Sequence, residues 1–192
     1  EMTSSLVGSE MCIRDSYASA ADGSIIFNAF FKNYFNALVK EEAFKTKIGN
    51  WFLTGVGCIP VKRGEADIDA YKKVVTVLKN GENILIFPEG TRNKAGTDVM
   101  APFKKGVSVF AMRTKVEILP TLYFRMHRPF RKNILVVGEP IDLLKEGFDR
   151  KQDTEATEFL YEKMQALRVK ANEIAKERGL KQYPPRKVKA KK

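Results

Sequence analysis

The sequence predicts a single α/β domain, and three observations carry that expectation. Short apolar runs alternate with stretches of helical periodicity along most of the chain. Two of those runs, Cys58-Ile59-Pro60-Val61 and Ile84-Leu85-Ile86-Phe87, share one design, a short strand with a proline and an arginine just beyond it. With 192 residues the chain is long enough for one sizeable core and shows no internal repeat.

The elements follow in order. An apolar helix is expected over Ile25–Phe31 and a strand over Asn36–Lys40. Gly57 to Val61 reads as a short strand leading to Lys62-Arg63. From Asp67 to Gly81, apolar residues at 68, 71, 74, 75 and 78 keep helical spacing. Asp67 is placed to cap that helix and Gly81 to stop it. Residues 84–87 form the next strand, which Pro88 ends because it brings no N–H to a ladder. Pro102-Phe103-Lys104-Lys105-Gly106 leads into a helix carrying Val107, Phe110, Ala111 and Thr114. Strands are expected over Glu117–Phe124, with Leu119-Pro120 inside it, and over Asn133–Gly138. Thr154–Arg178 reads as a long helix with the stripe Leu160, Met164, Leu167, Ala171 and Ile174, acids in its first turn and Gly179 at its end. Lys181–Lys192, rich in proline and lysine, is expected to be a disordered basic tail.

Composition narrows the function classes. Cys12 and Cys58 have no metal-ligand spacing, and there is no histidine cluster, so neither a metal site nor a disulfide framework is expected. The one histidine, His127, sits among cations and reads as a solvated surface residue. No run approaches the roughly 20 apolar residues of a membrane span, and no intact signal peptide is legible. The formal charge is +11. Five positives fall in the last seven residues, while residues 1–16 contribute a net minus two, so the excess is spread over the body as well as the tail. A basic surface suits an anionic leaflet or a nucleic acid. A nucleic-acid module would interleave aromatics with Lys and Arg on an exposed face. Most aromatics here fall instead in apolar runs such as Phe27–Phe31 and Trp51-Phe52, so nucleic acid is not the expected partner.

The stretch Phe87-Pro88-Glu89-Gly90-Thr91-Arg92 is the most specific signal. It leaves a carboxylate and a guanidinium side by side at a strand's C-terminal end, where open α/β sheets bind ligands. Taken alone, such a motif reads better as a strand followed by a solvated charged turn. With the upstream block Gly57–Arg63 in the same order, the pair resembles the second and third blocks of the glycerolipid acyltransferase family, whose best-known members are the 1-acyl-glycerol-3-phosphate (lysophosphatidate) acyltransferases. Leu119-Pro120 resembles its weaker fourth block, and the likeness extends from about Asp22 to Pro140.

That resemblance implies a mixed central sheet flanked by helices, and acyl transfer from acyl-CoA or acyl-carrier protein to a lysophospholipid, with no resident cofactor. It implies Arg63 and Arg92 as grips on the acceptor phosphate, with Lys104 a weaker candidate, since guanidinium forks match phosphate oxygens better than an ammonium does. Glu89 would orient Arg92 or hydrogen-bond a glycerol hydroxyl. Gly90 gives backbone room, its N–H a candidate to face the substrate. Thr91 reads equally as a turn hydroxyl or a ligand contact. Phe27, Phe30 and Phe31 read as acyl-groove or lipid-facing residues, and at least equally as core residues. The family's first block is a His-x4-Asp pair in which the histidine is the general base and the aspartate orients it. Here Tyr17-Ala18-Ser19-Ala20-Ala21-Asp22 has that shape, with Asp22 in the aspartate position, Tyr17 where the family carries histidine and Ser16 where many relatives carry asparagine. A phenol, with a reference pKa of about 10, cannot serve as that base at neutral pH.

Leu6–Asp15 resembles the translation of a transposon-type sequencing adapter. Residues 1–16 are therefore expected to be a non-native leader, residues 17–180 the acyltransferase domain and 181–192 the tail. On this reading the native N-terminal segment is missing, and residue 17 is either a genuine tyrosine or a histidine codon altered at the join. The implied location is the cytoplasmic face of a membrane, peripheral or anchored by that missing segment. The alternatives are a non-catalytic phospholipid-binding member of the same fold and, last, a basic nucleic-acid-binding module.

Overall fold

The structure, a computed structural model, describes residues 10–14, 35–62, 67–90, 100–125 and 132–181. Their strands are β1 (Glu10–Arg14), β2 (Phe35–Lys40), β3 (Cys58–Val61), β4 (Asn83–Ile86), β5 (Glu117–Tyr123) and β6 (Leu135–Val137). The helices are α1 (Lys47–Gly55), α2 (Ile68–Lys79), α3 (Gly106–Thr114) and α4 (Asp153–Glu177), with a 3-10 turn at Glu41–Phe44. The strands form one sheet in the order β3-β2-β4-β1-β5-β6. All neighbours are parallel except β5 and β6. This is the mixed sheet the family resemblance implied.

The local signals act as their chemistry requires. Asp67 Oδ1 accepts the Ala70 N–H at 2.9 Å and caps α2, which buries Ala70, Val74 and Leu78. Gly81 and Gly179, beyond α2 and α4, take φ of +80° and +65°, the left-handed values glycine adopts without a Cβ penalty. Pro120 lies inside β5 and has no N–H to give; its carbonyl accepts from Gly138 at 2.8 Å. A Cβ at Gly138 would lie 2.8 Å from the Pro120 ring, so glycine there lets the two chains approach.

The connections β3 to β4 and β4 to β5 cross the sheet in one direction, so right-handed crossovers put α2 and α3 on the same face. Together with α4 they build the main core over Met11, Ile13, Ile84, Ile86, Ile118 and Leu122. The opposite face carries a smaller buried group, Cys12, Phe35, Ala37, Leu85 and Tyr123. Ser108 locks α3 to α4: its hydroxyl lies 2.7 Å from that of Thr157 and 3.0 Å from the Asp153 carbonyl.

Residues 10–14, placed outside the fold on sequence grounds, occupy a central position of the sheet. β1 pairs in parallel with β4 and β5, and Met11, Cys12 and Ile13 are fully buried. The physical reason is that a strand buried on both faces needs an uninterrupted apolar run and shows no alternation. Met-Cys-Ile meets that requirement, and the absence of a two-residue period carries no weight against it. Thr121 fastens the strand further, its hydroxyl donating to the Ile13 carbonyl at 3.1 Å. The expected helix at Ile25–Phe31, His127 and residues 182–192 lie outside the described residues.

Candidate active site at the C-terminal edge of the sheet

The C-terminal ends of β1, β2, β3 and β4 lie along one edge, because these strands are mutually parallel in one continuous register. Ala37 is level with both Cys58 and Leu85, and Ile13 with Ile86. The chain leaving β1 goes to β2, while the chain leaving its neighbour β4 goes to β5 on the other side. Adjacent strands whose connections depart in opposite directions open a crevice at their C-terminal ends, where α/β sheets bind ligands. The Tyr17–Asp22 block follows β1, Arg63 follows β3 and Glu89–Arg92 follows β4. All three blocks therefore leave the sheet at this edge, two of them from strands that flank the crevice. The third leaves from β3, two strand spacings or about 10 Å from β4.

Tyr17, Asp22, Arg63, Thr91 and Arg92 lie outside the described residues; Glu89, Gly90 and Lys104 lie within them. Glu89 is only 4% exposed, which removes the reading of this motif as a solvated charged turn. A carboxylate held out of water is costly unless the fold uses it. Gly90 takes φ +64°, and its N–H donates to the Phe87 carbonyl at 3.0 Å. That corrects the expectation that this N–H faces substrate: it closes the turn. Backbone room at Gly90 serves Lys104, whose side chain lies over it. A Cβ at position 90 would sit 2.9 Å from Lys104 Cε and 3.3 Å from Nζ. The Lys104 N–H donates to the Pro88 carbonyl at 2.8 Å, which pins the start of α3 beside the turn. The start of α3 and the exposed Lys104 ammonium thus lie beside the Pro88–Gly90 turn, each favouring an anion. Sequence reasoning ranked Lys104 as a weak candidate; the glycine beneath it was the signal for its place.

A cleft of about 170 Å³ lies between the ends of β3 and α2, lined by Glu41, Pro60, Lys62, Asp67, Asp69, Ala70 and Lys73. Sequence reasoning missed the second job of Asp67 at its rim. Besides capping α2, Oδ2 accepts the Lys62 N–H at 2.8 Å, so one carboxylate ties together both ends of the segment that contains Arg63. The Ala70 and Lys62 N–H groups hold this carboxyl below its ordinary pKa. Among the described residues no cluster of His, Cys, Asp or Glu has the arrangement of a metal site.

A mostly parallel α/β sheet with a buried carboxylate and an exposed lysine beside the C-terminal end of β4 has the architecture in which α/β enzymes place their ligand sites. The family model described as Acyltransferase matches residues 18–123, and the chain belongs to that family. It is 34% identical over 83 residues to the chloroplastic 1-acyl-sn-glycerol-3-phosphate acyltransferase of Brassica napus, a match covering 42% of this chain and 24% of that protein. With the protein of the same name from Borreliella burgdorferi it shares 33% identity over 129 residues, 66% of this chain and 50% of that one. The matched regions thus span half or less of these relatives. The fold matches the crystal structure of the 1-acyl-sn-glycerophosphate acyltransferase PlsC from Thermotoga maritima with a TM-score of 0.63 at 23% identity, covering 86% of this chain and 66% of that one.

Proposed function

We propose that this domain belongs to an O-acyltransferase that moves an acyl group from acyl-CoA or acyl-carrier protein to a lysophospholipid, 1-acyl-glycerol-3-phosphate first among the acceptors, giving phosphatidic acid. The observation that supports the reading is that β1, β3 and β4, the strands that the three blocks follow in sequence, end along one edge of the sheet, with buried Glu89 and the Lys104 side chain over Gly90 beside the end of β4. The curated relatives named above support the choice of acceptor. In the reaction the acceptor hydroxyl oxygen attacks the thioester carbonyl and a base takes its proton. The carbon–sulfur bond then breaks, and the thiolate leaves with a proton. Arg63, Arg92 and Lys104 would hold the phosphate, and Glu89 would fix Arg92 or a glycerol hydroxyl from its buried position. No resident metal or cofactor is required by this scheme. The domain would work at a membrane surface, on the cytoplasmic face, peripherally or through a further anchoring segment; no described helix is long and apolar enough to cross a membrane.

Tyr17 bears directly on the reading. It stands where the family's base stands, and it favours a second reading in which this chain binds phospholipid without turning it over. The test is thiol release from acyl-CoA with lysophosphatidate present. The chain with Tyr17 should show only a residual rate, since loss of general-base assistance costs roughly 10²–10⁴-fold. Ser16→Asn with Tyr17→His should restore turnover, and a further Asp22→Asn should remove it. Robust turnover with Tyr17 in place would refute the base assignment. A folded, inactive Tyr17→His chain would put the lipid-binding reading ahead.

A further inference from the structure

Helix α1 has no buried residue. Its Ile48, Trp51 and Phe52 are 81%, 78% and 58% exposed. Spaced i, i+3 and i+4, the three share one side of the helix. Single exposed apolar residues are ordinary, but three large ones on one side of a helix form a patch that asks for a partner. The patch is held outward by the opposite side of the helix. Gly49 packs so closely there that a Cβ would lie 2.6 Å from the Ala43 carbonyl oxygen, and Leu53 is half-buried. Thr46 caps the helix, accepting the Gly49 N–H at 3.1 Å. The chain from the helix to the end of β3 is positively charged, while Glu41 and Glu42 are exposed in the 3-10 turn packed against α1. Between Glu42 and Glu65 the chain carries Lys45, Lys47, Lys62 and Arg63 and no carboxylate.

We propose that α1 is a bilayer-docking surface: Ile48, Trp51 and Phe52 enter the interfacial region of an anionic phospholipid leaflet, and Lys45 and Lys47 meet its headgroups. This rests on the reading of the chain as an enzyme of lipid acceptors, and it names the surface that delivers the site to them. The three side chains offer on the order of 450 Å², roughly half of the 800 Å² or so per partner that a stable protein interface needs. A second copy of the chain is therefore a poor occupant. A bilayer interface accepts a short helix with an aromatic–aliphatic face and lysines at its border. Position agrees as well. The chain enters α1 from Lys40, which lies level with Val61 at the catalytic edge of the sheet. Docking α1 therefore sets that edge beside the lipid surface. The apolar run that contains Trp51-Phe52 is thus helical and faces out.

Trp51 is the one tryptophan of the chain, so its emission reports on this surface alone. The full chain is titrated with vesicles of equal parts phosphatidylglycerol and phosphatidylcholine, with phosphatidylcholine alone, and with a single-stranded oligonucleotide at the same salt. The expected result is a blue shift and quenching by brominated acyl chains on the anionic vesicles. Ile48→Asn with Phe52→Asn should lower partitioning by at least roughly tenfold, with unchanged thermal unfolding because both side chains are exposed. Lys45→Glu with Lys47→Glu should weaken binding to the anionic vesicles selectively. The proposal is overturned if no vesicle binds, or if vesicles bind while Trp51 stays unquenched. It is equally overturned if the oligonucleotide shifts Trp51 more than the vesicles do, or if sedimentation velocity reveals a dimer that Phe52→Asn dissolves. Binding of a soluble short-chain lysophosphatidate should survive the Ile48→Asn/Phe52→Asn change. A chain that docks yet fails to bind this soluble acceptor sinks the acceptor reading and leaves the docking surface standing.

Discussion

Replacing Gly90 by alanine separates two roles that one glycine plays. At φ +64° an L-residue bears the left-handed penalty of about 1–2 kcal/mol, which should appear as lost stability in urea unfolding. The added Cβ would also lie 2.9 Å from Lys104 Cε and 3.0 Å from Cδ. That clash costs little stability, since Lys104 is exposed and its flexible stem swings away while its N–H stays bonded to Pro88. What moves is the ammonium. If it holds the acceptor phosphate, losing a charge-assisted contact of about 1.5–3 kcal/mol weakens binding roughly 10- to 150-fold. Calorimetric titration with a short-chain lysophosphatidate, and urea melts, on Gly90→Ala, Lys104→Ala and the double variant provide the cycle. Lys104→Ala should weaken binding and leave stability within about 0.5 kcal/mol. In the double variant the stability loss should equal that of Gly90→Ala, and the binding loss should not exceed that of Lys104→Ala. If Gly90→Ala weakens binding equally with and without Lys104, the displaced ammonium is not the cause of that loss; if Lys104→Ala leaves binding unchanged, Lys104 leaves the site.

Asp67→Asn keeps an oxygen for the α2 cap but turns an amide toward the Lys62 N–H, so it should cost about 1 kcal/mol and raise the acceptor KM in the Ser16→Asn/Tyr17→His chain. Because the folded carboxyl titrates below its ordinary value, its stabilisation is complete above about pH 4 and is lost as the pH falls through the depressed folded value, so acid melts should show the difference from Asp67→Asn shrinking there. Ser108→Ala and Thr157→Val should each cost about 1–2 kcal/mol in urea melts, and the pair less than their sum, because both lose the same 2.7 Å bond. Ile13→Ala, at a fully buried site, should cost about 2–5 kcal/mol; a change within about 0.5 kcal/mol would mean that β1 contributes little to the folded sheet.

The sequence reveals elements whose signals are local. The α2 helix from its cap and stop, β4 from its apolar run and proline, and α4 from its stripe all come out within a few residues of the observed bounds. Its limits are equally physical. α1 was hidden because helical periodicity is sought as a face that packs, and Ile48, Trp51 and Phe52 share a face that is largely exposed among the described residues. β1 was hidden because a doubly buried strand needs no alternation, and its only recommendation is three apolar residues in a row. At the site, the motif placed Glu89, Gly90 and Lys104 near one another in thought, but the burial of Glu89 and the seat of Lys104 over Gly90 depend on a turn geometry that no spacing encodes. The double duty of Asp67 depends likewise on how β3 and α2 happen to approach.

β1 matters beyond stability, because it sets where the first block begins. Ile13 is level with Ile86, so Arg14 stands level with Phe87, and the chains toward Tyr17 and toward Glu89 leave the sheet one strand spacing apart, about 4.8 Å. Tyr17 is three residues past the end of β1, a reach of about 10 Å when extended, and Glu89 is two past Phe87. On the proposed reading, a base at position 17 and a phosphate clamp after β4 would share a crevice only while β1 keeps its register between β4 and β5. A slip of one residue would move Met11 and Ile13 off the main core and Cys12 onto it. The burial of all three side chains, with the Thr121 hydroxyl on the Ile13 carbonyl, opposes that slip. Restoring histidine at position 17 and destabilising β1 should accordingly interact. In the Ser16→Asn/Tyr17→His chain, Ile13→Ala should reduce turnover even where the protein remains folded, whereas a core change of similar cost in α4, such as Met164→Ala, should not. Equal losses from the two would show that the first block does not take its position from β1.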